Sequence, residues 1–307
     1  MKIFRDPAQV KALNRPVVAL SDFDGVHLGH RALLAATVEW ARKVSGTPLA
    51  CIFDPNLAPT PAVRPAPCLI TTLHDRLKLL ATSGLSGVIL FEPTSALTEL
   101  SQERLISEYM SARAGAFGVV VEAHAHLAFE QPGETDALVK RRHLCGLPVE
   151  IVPAVRVGGI QVNSAAIRDL IAAGDLMGAT KLLDRYYFLT GTVISGHRRG
   201  REIGFPSANL RCDRQCLPPD GVYASWTYVK GARFGSITNI GGRPTFGELE
   251  RAIETHIFNF SRDIYNERIR VELIERIRGQ QKFDSAEALA HHIAEDIKRV
   301  REVLAQS

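Results

Sequence analysis

The chain is expected to fold as an α/β domain with a doubly wound parallel sheet, followed by a small antiparallel β-barrel that carries a terminal helix. Three observations predict this. At 307 residues two hydrophobic cores are more natural than one. As far as Asp184, short apolar runs alternate with amphipathic stretches, the rhythm of a parallel sheet with crossover helices. Beyond Tyr187 the pattern changes to β-type runs broken by Gly and Pro. The domains are accordingly drawn as 1–184 and 185–307.

In the first half the strand candidates are Val17 to Leu20, Leu49 to Phe53, Val88 to Phe91, Val119 to Val121 and Ile151 to Val152. Arg31 to Arg42, Asp75 to Ser83 and Gln102 to Ala114 have the length and the apolar stripe of crossover helices. Ligands of such a sheet are expected beyond the carboxyl ends of its strands. In the second half GTVISG, GVYASWTYV, FGSITNIGG, ETHIFNF and IRVELIERI read as antiparallel strands. A closing helix carries Leu289, Ile293, Ile297, Val300 and Leu304 on one stripe, with Asp284 and Glu287 as its capping pair. TPAVRPAPC at 60–68 is a proline-rich loop.

Composition narrows the function. With 46% hydrophobic and 23% charged residues and a net charge of +4, the chain resembles neither a nucleic-acid-binding nor a membrane protein, while anionic small molecules suit it. No stretch approaches the ~20 apolar residues that span a bilayer, and the start MKIFRDPAQVKALNRP is not a secretory signal. A cytoplasmic location is expected. The five cysteines include no CxxC pair and read as reduced thiols.

Two segments carry chemistry. Gly191 to Leu210, GTVISGHRRGREIGFPSANL, combines glycines and basic residues between two β-like runs, which suits a backbone that approaches a polyanion. It is neither a P-loop nor a dinucleotide fingerprint. The run is similar to the GxxxGRxLGFPTANL signature of riboflavin kinases, through Gly196, Gly200, Arg201, Gly204, Phe205, Pro206, Ser207, Ala208, Asn209 and Leu210. The likeness continues in Gly221-Val222-Tyr223-Ala224, Asn239 to Thr245, Glu254-Thr255-His256 and Arg278 through Lys282-Phe283. It implies that Ser207 and Asn209 hold Mg²⁺ and nucleotide and that Glu254 is the catalytic base for the ribityl hydroxyl. It further implies that Arg278 and Phe283 line the flavin, and that the loop from Gly196 to Arg201 covers the phosphates of ATP. Asn259 departs from the family's Asp, with little consequence expected.

The second segment, Ser21-Asp22-Phe23-Asp24-Gly25-Val26-His27-Leu28-Gly29-His30, ends a strand, turns on glycine and opens a helix with histidine, the makings of an anion site. It resembles the GNFDGVHLGH motif of bacterial bifunctional riboflavin kinase/FMN adenylyltransferases, which make FMN from riboflavin and FAD from FMN with ATP. The resemblance implies roles for His27 and His30 in catalysis and for Asp24, Ser164 and Arg168 in binding. Yet Asp22 replaces the usual Asn, Asn56-Leu57 replaces His-Pro, Asn163-Ser164-Ala165 replaces Ser-Ser-Thr, and the flavin loop is unrecognisable in Glu122 to Ala128. A carboxylate about 5 Å from a phosphate costs roughly 3 kcal/mol at an effective dielectric near 20. A weakened adenylyltransferase is therefore expected. Glu122, His124 and His126 alternate and form a candidate transition-metal set, although a solvated strand end is the plainer reading.

Two alternatives compete with this reading. One keeps both reactions intact, and the other makes the chain a flavin- or nucleotide-binding regulatory protein. Weak RNA contact through His197 to Arg201 is disfavoured, because no aromatic residues are interleaved to stack on bases. Oligomeric state is not legible.

Overall fold

The computed structural model describes residues 1–53, 67–91, 104–123, 143–144, 146–196, 204–242, 251–281, 283 and 285–307. Packing divides the chain into two compact units. One comprises Met1–Pro67 and Leu73–Ser164, the other Cys68–Thr72 and Ala165–Ser307.

The first unit opens with β1 (Lys2–Phe4), a 3₁₀ turn at Pro7–Val10 and β2 (Pro16–Ser21), then α1 (Leu28–Lys43), β3 (Thr47–Phe53), α2 (Leu73–Leu80) and β4 (Gly87–Phe91). It continues with α3 (Leu105–Arg113), β5 (Gly118–Glu122), β6 (His143–Leu144), β7 (Leu147–Val152), β8 (Arg156–Val157) and β9 (Ile160–Gln161). The strands from β1 to β7 form one sheet in the order β1-β4-β3-β2-β5-β7-β6. All of its pairings are parallel except β6 with β7. Every residue of β2 is buried, as a central strand covered on both faces requires. Val17 and Ala19 pack on the side of α1, whereas Val18 and Leu20 pack with Ile106 and Met110 of α3. The doubly wound layout is thus present. In α3 the expected crossover helix is wound wider than an α-helix: the Ala114 N–H donates to Tyr109 C=O, five residues back. The edge strand β1 lies outside the apolar pattern because its residues are exposed or half-buried.

The second unit begins with α4 (Ser164–Ala173), whose first residue counts with the first unit, and α5 (Leu176–Leu183). Asp175 caps α5 by accepting from Gly178 N–H at 2.8 Å. There follow β10 (Tyr187–Ile194), β11 (Ala208–Cys212), β12 (Gly221–Val229), β13 (Ala232–Gly242), β14 (Arg251–Ile257) and β15 (Arg268–Arg278). They close into a barrel in the order β10-β11-β14-β13-β12-β15, antiparallel throughout. Its centre is partly polar: Ser225 Oγ lies 2.8 Å from both Ser236 Oγ and Thr238 Oγ1, and Thr238 Oγ1 lies 3.0 Å from Thr255 Oγ1. These hydroxyls satisfy one another, so their burial carries little penalty.

The closing helix, α6 (Ala286–Leu304), packs Val300 and Leu304 against Val222, Ile237, Phe258 and Ile274. Val300 is fully buried and contributes about 1.5–3 kcal/mol. Ile297 joins this contact partly buried, and Leu289 and Ile293 are half-buried toward the start of the helix. The cap differs from the expected pair, since Ser285 is the N-cap and accepts from Ala288 N–H at 3.1 Å. Asp284 lies outside the described residues. Asn259 takes a left-handed φ of 54°, which Asn tolerates as well as Asp does.

The expectation of five free thiols is corrected. Cys68 and Cys216 form a disulfide, Cys51 and Cys212 are free, and Cys145 lies outside the described residues. The bond fastens the strap Cys68–Thr72 to the barrel unit, where Leu69 bridges Gln215, the Gln215 amide donates to Ile70 C=O, and Arg268 donates to Thr72 Oγ1. Nothing in the local sequence announces this pairing, because the two cysteines are 148 residues apart.

Candidate active sites

In the first unit the strand β2 ends at Ser21 and the chain must reverse within a few residues to start α1. Asp22 Oδ1 accepts from Asp24 N–H at 2.9 Å, and Phe23, Gly25 and Val26 all take positive φ. Such a conformation is strained for Phe23 and more so for the β-branched Val26, so surrounding contacts must hold it. Arg76 does much of this. It is 1% exposed, donating through Nη1 to Asp22 C=O at 2.8 Å and through Nη2 to Asp24 Oδ1 at 3.3 Å. Ser164 Oγ donates to Asp24 C=O at 3.1 Å.

The turn delivers His27 to the N-cap of α1, where Nδ1 accepts from His30 N–H at 3.2 Å and the ring stacks on His30 at 3.6 Å. In neutral His27 the proton therefore sits on Nε2. His30 Nε2 lies 3.0 Å from Ser21 Oγ and 3.6 Å from Asp22 Oδ1. Glu122 closes β5 beside this turn, and its carboxyl reaches the first turn of α1, where only Gly29 leaves it room. Burial, and then the nearby Asp22 carboxylate, push Glu122 up to about 7.

Of the residues expected at this site, His27, His30, Asp24 and Ser164 are brought together. Arg168 belongs to the second unit and donates to Cys68 C=O at 2.8 Å. Asn56-Leu57, His124 and His126 lie outside the described residues, among which no group of three or more His, Cys, Asp or Glu can hold a metal. Arg76 escapes sequence reading because a buried arginine looks like a surface charge on an amphipathic helix. Its signal is the complementary pair of aspartates two residues apart in the turn.

In the second unit the site is built by strand register. Glu254 of β14 is opposite Asn209 of β11 on one side and Asn239 of β13 on the other. Directly opposed residues share a face, so these three side chains form one polar rung. The alternate residues Thr238 and Thr255 are fully buried inside the barrel, which puts the rung on the outer surface. Gly196 packs so closely on the Asn209 amide that a β-carbon there would collide with it. The turn before β11 is pinned to β14: His256 Nδ1 lies 2.7 Å from Pro206 C=O, and the rings of Phe205 and His256 meet edge-on at 5.7 Å. Ser207 Oγ donates to Phe205 C=O at 3.1 Å, and Gly204 has φ of 87°.

Arg278 is not a loose surface charge. Its Nε and Nη2 grip Asp296 of α6 at 2.9 and 2.8 Å, and its guanidinium lies 5.7 Å from the Phe283 ring. The rung, the turn and Gly196 are therefore assembled at one end of the barrel wall. Arg278 and Phe283 adjoin each other at the join of β15 and α6. Gly200 and Arg201 lie outside the described residues. The place of Asn239 beside Glu254 and that of Asp296 beside Arg278 emerge only from register and helix packing.

An α/β unit with a histidine-lined helix start beyond its strands and a barrel with an Asn-Glu-Asn rung suit a transferase that takes phosphoryl or adenylyl groups from a nucleotide. The family model for FAD synthetase matches residues 9–166, and that for riboflavin kinase matches residues 183–304. The chain is 31% identical to the bifunctional riboflavin kinase/FMN adenylyltransferase of Escherichia coli K12, over 93% of this chain and 92% of that protein. It is 30% identical to the Pseudomonas fluorescens protein of the same name, over 100% and 99% of the two chains. The Bacillus subtilis protein is also 30% identical, over 92% and 90%. A solved structure described as a macrolide-efflux protein from Streptococcus pneumoniae superimposes with a TM-score of 0.82 at 28% identity, covering 97% of this chain and 98% of that one. No helix among the described residues is long and apolar enough to cross a membrane. This chain belongs to the bifunctional riboflavin kinase/FMN adenylyltransferase family.

Proposed function

We propose that the barrel unit phosphorylates riboflavin with ATP to give FMN, and that the first unit is an FMN adenylyltransferase site of weakened activity. The register that sets Glu254 between Asn209 and Asn239 carries the kinase reading. In this reading the Glu254 carboxylate takes the proton of the ribityl hydroxyl as the bond to phosphorus forms. Ser207 and Asn209 offer hard oxygen donors two residues apart, Asn209 beside the Gly196 backbone, a set that fits Mg²⁺. Bound there, the metal would neutralise charge on the transferring phosphate oxygens. The backbone around Gly196 and Gly204 approaches the nucleotide, while Arg278, held planar by Asp296, and Phe283 provide a flat surface for the flavin.

In the first unit the N-terminal end of α1, His27 and His30 support binding of the triphosphate and of the pyrophosphate released. Asp22 and Glu122 set two acids beside them, which supports the weakened activity. The test is to incubate the chain with riboflavin, ATP and Mg²⁺ and to resolve FMN from FAD by chromatography. FMN should accumulate with little FAD, and Glu254→Gln should slow FMN formation by about 10²- to 10⁴-fold with flavin affinity retained. Unchanged turnover in that variant removes Glu254 from its role, and rapid FAD formation by the wild type removes the claim of a weakened first site.

A further inference from the structure

In open α/β sheets ligands enter where the strand order reverses, because the crossovers on either side part there. In this sheet the chain leaves β2 for β3 on one side, and β5 then joins β2 on the other. Ala19 of β2 is level with Val120 of β5, so two residues further on Ser21 and Glu122 flank that crevice. Glu122 Oε1 would collide with a β-carbon on Gly29, and the His27 ring would be in tight contact with it, so the acid and the imidazole adjoin the same first turn of α1. That turn is the place where backbone N–H groups and the helix dipole favour an anion.

We propose that Glu122 is a specificity-determining residue of the first unit: its carboxylate stands where a nucleotide phosphate has to enter the N-terminal end of α1, and only the protonated acid admits the phosphate. The inference deepens the adenylyltransferase reading and rests on it for the identity of the nucleotide. Of the charged and titratable groups among the described residues, Asp22 of the turn acts on Glu122, the His27 ring shares the first turn of α1 with it, His30 and Arg31 follow on that helix, and Glu150 stands two residues before Val152, the partner of Glu122 on β7. Behind the turn Asp24 and Arg76 pair with each other. With Glu122 pushed up to about 7, roughly half of the molecules carry the neutral acid at neutral pH. At about pH 8 only one in about eleven does, so phosphate binding should weaken about tenfold between about pH 6 and about pH 8.

The experiment is a calorimetric titration of the full chain with Mg²⁺-ATP at both pH values, in the wild type, Glu122→Gln and Glu122→Ala. The barrel's nucleotide site and the titration of ATP itself are common to all three and cancel in the comparison. Both variants should bind ATP at the first unit about tenfold more tightly than wild type at the higher pH, with the wild type's additional pH dependence lost. Circular dichroism establishes that each variant is folded, and either one suffices. Equal affinity at the higher pH in wild type and a folded variant overturns the proposal. Supplying FMN separates the two ideas: if ATP affinity responds as stated while no FAD forms at either pH, the gate stands and the adenylyl-transfer reading falls.

Discussion

Replacing Arg76 by Leu tests the support of the first site. Arg76 and Asp24 are 1% and 2% exposed and 3.3 Å apart, so neither is compensated by water. At an effective dielectric of about 20 a contact of that length amounts to roughly 5 kcal/mol. Arg76→Leu removes this attraction and also the donor to Asp22 C=O, leaving the Asp24 carboxylate buried without its guanidinium. Breaking such a pair from one side costs about 3–5 kcal/mol. The chain has two tryptophans, Trp40 in α1 and Trp226 in β12, so a Trp226→Phe background reports the first unit alone. Urea unfolding followed by Trp40 fluorescence should show the full loss. Adding Asp24→Asn should recover about 1–3 kcal/mol, because an amide is far cheaper to bury than a lone carboxylate. A loss below about 1 kcal/mol, or no recovery in the double variant, would refute the assignment of Arg76 as the anchor of the turn.

Three further outcomes are expected. The folded form of Glu122 binds its proton more tightly than the ordinary value of 4.5 allows, so the native state holds more protons than the unfolded chain as the pH passes from 4.5 to about 7. Stability of the first unit should therefore fall across that window by about 3 kcal/mol, and Glu122→Gln should remove the slope in urea midpoints. Asp296→Asn should loosen Arg278, lowering barrel stability by about 1–3 kcal/mol and weakening riboflavin affinity as read by flavin fluorescence quenching. Alkylation of the denatured chain without reductant should label Cys51 and Cys212, together with Cys145, and spare Cys68 and Cys216, with mass spectrometry after reduction revealing the missing pair.

Much of the fold was legible because the apolar period is unambiguous where burial is two-sided. Val17 to Leu20 is such a run, and β2 is buried along its whole length. Features set by partners distant in sequence were not legible. Asn239 reads as part of a strand and of the family likeness, but its place beside Glu254 is set only by the β13–β14 register. The resemblance marks Arg278 as a flavin-lining residue, but its ion pair with Asp296 appears only when α6 packs on the barrel. Cys68 and Cys216 carry no local signal of each other. The histidine turn was legible because its chemistry is contiguous, running from Asp22 to His30, whereas the approach of Glu122 depends on how two parallel strands align.

The strap Cys68–Thr72 has a consequence for anyone who wishes to express the halves apart. The barrel unit owns a short piece of polypeptide that is encoded in the middle of the other unit's gene segment. No single cut between codons can therefore release it whole. A fragment beginning at residue 165 would carry Cys216 without its sulfur partner and the Gln215 side chain without the carbonyl of Ile70. Supplying the missing pentapeptide in trans, or grafting it ahead of α4, should be what makes the isolated half well behaved.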